Sequence, residues 1–258
     1  MRIDIYLTEK GYCESRNKAA RLISEGKVLL DGRVVSKASY DVSDGEHTVE
    51  ITENERFVGR GGLKLEAAIE RFSVDVSGKR CIDVGASTGG FTDCLLQRGA
   101  EFVCAVDSGR GQLHPSLREN FKVSSVEGYN ARELNAEEFG VFELAVMDVS
   151  FISQTLIHPS LASVLSDGAV FISLIKPQFE AGKSALGKNG IVNNARDREI
   201  AITRVAESAE LCGFGLVGIM RSPIDGGDGN REYLACFKKG ERSQYEALQK
   251  QIKQLCKE

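Results

Sequence analysis

Four polar residues stand in this 258-residue chain where an α/β domain concentrates its chemistry. Lys64 opens a helical pattern, and Asp148 follows the apolar run Leu144-Ala-Val-Met147. Lys176 follows Ile172-Ser-Leu-Ile175, and Glu232 opens the last β-rich run. Two amines and two carboxylates can take a proton from a weak acid such as an alcohol and balance the charge that results. A fifth feature is the stretch Asp83-Val-Gly-Ala-Ser-Thr-Gly-Gly-Phe-Thr-Asp93, which follows the short β-run Arg80-Cys81-Ile82. A strand, a glycine-rich turn and a helix in that order make a nucleotide-type site. Glycine lets the backbone approach a ligand, and a helix start offers unpaired N–H groups. This loop carries no Gly-Lys-Ser/Thr, which excludes a P-loop, and Gly85-x-x-x-Gly89-Gly90 departs from the dinucleotide spacing. Asp107 closes the next β-run and gives an acceptor where ribose hydroxyls would need one.

The elements that must position these residues follow from periodicity. Leu65, Ala68, Ile69 and Phe72 form an i, i+3, i+4, i+7 stripe, which predicts a helix before the first strand. β-runs recur near 80–84, 101–106, 122–126, 142–147 and 169–175 with helical stretches between most of them, the pattern of a parallel, doubly wound sheet. Phe214 to Met220 and Glu232 to Phe237 are joined by a glycine-rich connection without a helix, so they should pair antiparallel at one edge. A helix from Glu241 to Lys257 is expected to close the chain, with Tyr245, Leu248, Ile252 and Leu255 on one side. Ligands of open α/β sheets bind beyond the carboxyl ends of the parallel strands, which brings Asp148 and Lys176 to the loop starting at Gly85.

Residues 1–52 read as a separate α/β unit, 53–60 as a linker and 61–258 as the sheet domain. Ile3, Tyr6 and Leu7 have helical spacing, and Ser15 can cap a second helix that buries Ala19, Leu22 and Ile23. Asp31-Gly32 between Val28-Leu29-Leu30 and Val34-Val35 signals a hairpin, because a type I′ turn favours that dipeptide. Over residues 1–40 eight Lys/Arg face five acids, and over 41–60 two bases face six acids. The basic side is therefore segregated, with Arg16, Lys18 and Arg21 on the second helix and Lys27 and Arg33 beside the hairpin, a patch suited to phosphates.

With a net charge of −4 the chain has no global attraction for polyanions, so any nucleic-acid site must be local. The seven cysteines never take a C-x-x-C spacing, which argues against a zinc site or a disulfide framework and for a reducing, cytoplasmic setting. No metal is expected. No apolar leader or run of 18 apolar residues is present, and the three histidines lack metal or triad spacing. Asn130 is placed either to reach an adenine or to cap a helix. The stretch Gly182-Lys-Ser-Ala-Leu-Gly-Lys-Asn-Gly190 reads equally as a basic lid and as a plain surface loop.

The loop 83–93 with Asp107 in register resembles motif I of S-adenosylmethionine-dependent methyltransferases. That resemblance implies a Rossmann-like class I fold with a seven-stranded, mostly parallel sheet. It also implies S-adenosylmethionine held by Asp83, Gly85, Ala86, Ser87, Thr88, Gly89, Gly90, Phe91, Asp107, Asn130 and Asp148. Lys64, Asp148, Lys176 and Glu232 in this order resemble the tetrad of FtsJ-like ribose 2′-O-methyltransferases. Lys176, near Lys64 and away from bulk water, would take the hydroxyl proton. Asp148 would orient that amine and sense the sulfonium, and Glu232 would hold Lys64 or the ribose. The pattern from Arg2-Ile-Asp through Ser15-Arg16 to Asp31-Gly32 resembles the RNA-binding domain of ribosomal protein S4. It implies RNA contacts from Arg2, Arg16, Lys18, Arg21, Lys27 and Arg33.

Taken with Arg60-Gly-Gly-Leu-Lys-Leu65, Asp148-Val-Ser-Phe-Ile-Ser153, Lys176-Pro-Gln-Phe-Glu180 and Gly229-Asn-Arg-Glu232, the chain resembles the TlyA family of rRNA methyltransferases, also called hemolysins, over roughly residues 1–240. The family implies 2′-O-methylation of cytidine in small- and/or large-subunit rRNA within ribosomal subunits. Gly59 departs from it, standing where the family usually has serine, and Asp225-Gly-Gly-Asp-Gly is more acidic than a groove for RNA would suggest. Two rival readings are a non-catalytic RNA-binding assembly factor and a membrane-active hemolysin.

Overall fold

In the computed structural model of the chain, residues 1–43, 45–51, 56–226, 229–243 and 245–257 are described. They form two units, Met1–Arg56 and Phe57–Glu258. Residues 53–55 of the expected linker lie outside the described residues. Its last part packs with the second unit, where Phe57 is buried in the core and the Val58 N–H donates to Asp93 Oδ2 at 2.8 Å.

The first unit has helices α1 (Ile3–Glu9) and α2 (Arg16–Ser24) and strands β1 (Val28–Leu30), β2 (Arg33–Val34) and β3 (Val49–Ile51) in the order β2-β1-β3. Ser15 caps α2, its hydroxyl accepting from the Lys18 N–H at 3.3 Å. Asp31 and Gly32 have φ of 50° and 74°, the left-handed pair that a type I′ turn requires, which sets Leu30 opposite Arg33. Ile3, Leu7, Ala19, Leu22 and Ile23 meet Val28 and Leu30 in one apolar core.

The second unit opens with α3 (Gly61–Phe72) and continues through β4 (Arg80–Val84), α4 (Gly90–Gln97), β5 (Phe102–Asp107), β6 (Val123–Glu127), β7 (Phe142–Met147), β8 (Leu165–Ile175), β9 (Phe214–Arg221) and β10 (Tyr233–Lys239). The seven strands lie in the order β6-β5-β4-β7-β8-β10-β9. β4 pairs parallel with both β5 and β7, whereas β10 pairs antiparallel with β8 and β9. From β4 the chain first winds outward through β5 and β6, then returns to the other side of β4 with β7 and β8. That reversal opens a crevice beyond the carboxyl ends of β4 and β7. Apolar clusters cover both faces of the sheet, as buried parallel strands require.

The closing helix spans Tyr245–Leu255, shorter than its expected range. Its Leu248 and Ile252 are buried in the core beside β9 and β10, so that side is spent on the sheet. Among the described residues, no helix is long and apolar enough to cross a membrane.

Candidate active site

The crevice is built from the loops that leave β4, β5, β7 and β8. After Val84 the chain turns at Gly85, where φ is +84° and an added Cβ would lie 2.5 Å from the Asp148 carbonyl oxygen. Only glycine lets the loops after β4 and β7 come this close. Gly89 enters α4 at φ +96° with a Cβ position 2.2 Å from Leu117 Cδ1, so it packs the turn rather than facing the crevice.

Asp107, at the end of β5, accepts the Ser87 N–H on Oδ2 at 2.8 Å and the Gly109 N–H on Oδ1 at 2.7 Å. It ties the β4 and β5 loops together, and each oxygen keeps a lone pair for a ligand hydroxyl. A cavity of about 590 Å³ opens beside it, lined also by Gly85, Ser87, Gln112, Tyr129, Asn130 and Asp148. Asn130 Oδ1 accepts the Arg132 N–H at 3.2 Å, so the residue caps a turn and lines the cavity at once. A smaller cavity of about 190 Å³ shares Gly85, Ser87, Asp148 and Ser150 with the first. Gly61, Ala86, Thr88, Gly90, Phe91 and Lys176 complete its walls.

Asp83 lines neither cavity. It is wholly buried, and its Oδ2 accepts the Thr92 hydroxyl at 2.6 Å, which pins the first turn of α4 beneath the loop. Burial pushes its carboxyl up to about 7 against the Thr92 hydrogen bond, and Asp148 and Asp107 add to the rise.

The four candidate catalytic residues form two ion pairs. Lys176 Nζ lies 2.6 Å from Asp148 Oδ1 and donates to Ser150 Oγ at 2.8 Å. Lys64 Nζ lies 2.5 Å from Glu232 Oε2, both side chains nearly buried. Sequence reasoning set Asp148 on the Lys176 amine and offered Glu232 as a partner of Lys64, and the two pairs take those partners. It also assigned nothing to Ser150, Phe151 or Glu180, although all three stand in motifs it singled out. Phe151 lines the larger cavity with φ at +64°, its ring 5.3 Å from that of Phe179.

In the first unit, most of the candidate RNA contacts are matched by acids. Arg2 and Arg16 both reach buried Asp4 at 2.9 Å, and together they hold its carboxyl down at about 2, the Arg2 hydrogen bond contributing most. Lys18 lies 3.9 Å from Glu14, and Arg21 and Lys27 lie 3.5 and 2.9 Å from Glu25. Arg33 is exposed on β2. The Lys18, Arg21 and Lys27 pairs are of the surface kind worth at most about 1 kcal/mol, so a phosphate can displace them.

Comparison with known proteins gives this geometry its family. Residues 57–239 match the FtsJ-like methyltransferase model, and residues 1–47 match the S4 domain. The chain is 42% identical over 239 residues to Hemolysin A of Brachyspira hyodysenteriae, covering 92% of this chain and 99% of that protein. It is 44% identical over 235 residues to the 16S/23S rRNA (cytidine-2′-O)-methyltransferase TlyA of Mycobacterium tuberculosis, covering 90% and 88% of the two. A solved Streptococcus thermophilus structure described as a hemolysin superposes with a TM-score of 0.81 at 40% identity, covering 100% of this chain and 94% of that one. The cofactor of such enzymes is S-adenosylmethionine. The site fits it, with an acceptor at Asp107, a close-approach loop at Gly85 and a second cavity leading to Lys176. The chain belongs to the TlyA/hemolysin A group of FtsJ-like methyltransferases, with an S4 domain at its N-terminus.

Proposed function

We propose that this protein methylates the ribose 2′-hydroxyl of cytidine in rRNA, in the small and/or large ribosomal subunit, in the cytoplasm. The observation that carries the reading is the Asp148–Lys176 pair at the ends of adjacent parallel strands, on the wall of the smaller cavity. S-adenosylmethionine, when bound, supplies an electrophilic methyl group on a cationic sulfur. Gly85, Ser87, Asp107 and Asn130 would hold its nucleoside part in the larger cavity. Ala86, Thr88, Gly90 and Phe91 would shape the side toward Lys176.

A ribose hydroxyl attacks only as its proton leaves. Lys176 would take that proton, and Asp148 and Ser150 fix the direction of its side chain. Asp148 carries negative charge to the cavity side where the sulfonium would lie. The Lys64–Glu232 pair joins α3 to the start of β10, and its charged groups would hold the ribose. Asp83 supports the loop from beneath. The basic residues of the S4 unit, Arg2, Arg16, Lys18, Arg21, Lys27 and Arg33, supply phosphate contacts that the acidic remainder of the chain lacks.

Transfer of tritiated methyl groups from S-adenosylmethionine to rRNA or ribosomal subunits tests this reading, and mapping of 2′-O-methyls locates the nucleotide. The name of the Brachyspira relative raises membrane activity as a second reading. Dye release from liposomes by the purified protein decides it. Leu248 and Ile252 of the closing helix are buried in the sheet core, which withholds those two side chains from lipid.

A further inference from the structure

Asp148 and Lys176 must be held together, yet each stands at the start of its own loop. Their side chains are 23% and 12% exposed. A pair that solvent reaches in part gains little net stability from its attraction, whereas ordering loop backbone costs conformational entropy at every residue. The pair needs support from elsewhere.

That support lies behind it. Ser153, on the loop that Asp148 starts, donates its hydroxyl to Glu180 Oε2 at 2.5 Å, and the Gln154 N–H donates to Oε1 at 2.9 Å. Glu180 ends the short helix Pro177–Glu180 that follows Lys176. One carboxylate therefore closes both loops at their far ends. Gln154 in turn accepts from Ser173 on β8, and Arg204 of helix Ala195–Leu211 donates to the Glu180 carbonyl at 3.1 Å. Between the two closures Phe151 holds its left-handed φ of +64°, a conformation unfavourable for a non-glycine residue. Such strain persists only where neighbouring contacts over-determine it. Glu180 is 2% exposed and lines neither cavity, so it touches neither ligand. Burial raises its carboxyl above the usual range, while the donors from Ser153 and Gln154 oppose the rise.

We propose that Glu180 is a positioning residue for methyl transfer, clasping the two loops so that Lys176 and Asp148 keep their geometry. The inference rests on the methyltransferase reading of that pair. Glu180→Gln keeps the shape but loses the charge and one acceptor. It should leave cofactor Kd and RNA KM within about threefold, lower kcat by roughly 10- to 100-fold and shift the pH–rate profile, as displacement of a catalytic group does. Ser153→Ala, which removes a single donor, guards against misfolding and should lower kcat by about three- to tenfold. Wild-type kcat and pH profile in both variants would overturn the proposal. A crystal structure of E180Q separates this inference from the reading beneath it. Lys176 and Asp148 parted beyond 4 Å would support the clasp even if the wild type methylates no RNA, a result that would sink only the methyltransferase reading. A pair still in contact would overturn the clasp.

Discussion

Lys64 of α3 and Glu232 at the start of β10 meet at 2.5 Å in a nearly buried pair that joins the first helix of the methyltransferase unit to its last strand. Removing one partner of such a pair strands a buried charge, which costs about 3–5 kcal/mol, whereas replacing both by apolar groups is often neutral. Lys64→Met should therefore destabilise the protein by about 3 kcal/mol or more in denaturant titration. The double variant Lys64→Met/Glu232→Met should recover most of that loss while methyl transfer stays abolished. Recovery of activity along with stability would reduce the pair to a structural brace.

Asp107 should matter to the cofactor more than to the fold. Its alanine variant should lose about 1–3 kcal/mol of S-adenosylmethionine affinity, the range for a hydrogen bond to a charged group. Because Asp107 also ties Ser87 to Gly109, the ligand-free protein should lose some stability too. Calorimetric titration with unchanged affinity would remove Asp107 from the cofactor site.

Asp83 makes stability depend on pH in a definite direction. Its folded carboxyl titrates at about 7, above the ordinary carboxylate range, so the folded state binds the proton more tightly than the unfolded one. Stability on its account is greatest below about pH 4 and falls as pH rises toward 7. Asp83→Asn keeps an acceptor for the Thr92 hydroxyl and removes the titration. The variant should melt higher than wild type at pH 8, with the gain shrinking toward pH 4. An equal effect at both pH values would show that Asp83 does not titrate in this window.

The RNA face calls for variants chosen from its ion pairs. Arg16→Glu would set a second carboxylate against buried Asp4 and damage the unit itself. Lys18→Ala, Arg21→Ala and Arg33→Ala avoid this. Each lost phosphate contact should flatten the salt dependence of rRNA binding by roughly 0.7–0.9 in log–log slope. If the triple variant keeps both slope and affinity, the phosphate contacts lie elsewhere.

The strands and their order of appearance were legible because apolar runs recur between helical stripes, and the Asp31-Gly32 turn because few dipeptides accept two left-handed residues. The partnering of charges was legible only through the FtsJ-like resemblance, which put Asp148 on Lys176 and Glu232 on Lys64 or the ribose. Which carboxylate meets Lys176 depends on β7 lying beside β8, and Lys64 meets Glu232 only because β10 enters the sheet antiparallel beside β8. Neither fact is carried by local spacing. Asp83 read as a cofactor residue because it opens the glycine loop, but strand alternation turns its side chain into the core beneath α4. Glu180 gave no signal of burial, since a glutamate after Lys-Pro-Gln-Phe looks like any exposed loop residue. The apolar side of the closing helix was visible, though what covers it was not.

The central claim is that Lys176 takes the proton of a ribose hydroxyl while Asp148 holds it in place. Methyl transfer to ribosomal subunits by wild type, Lys176→Ala and Lys176→Arg, with S-adenosylmethionine affinity measured alongside, tests it most directly. The account predicts 2′-O-methylcytidine with the wild type alone and near wild-type cofactor affinity in all three proteins. A guanidinium cannot serve as a base near neutral pH, so arginine should fail as alanine does. Near wild-type turnover by the arginine variant would contradict the account and make Lys176 a positioning cation.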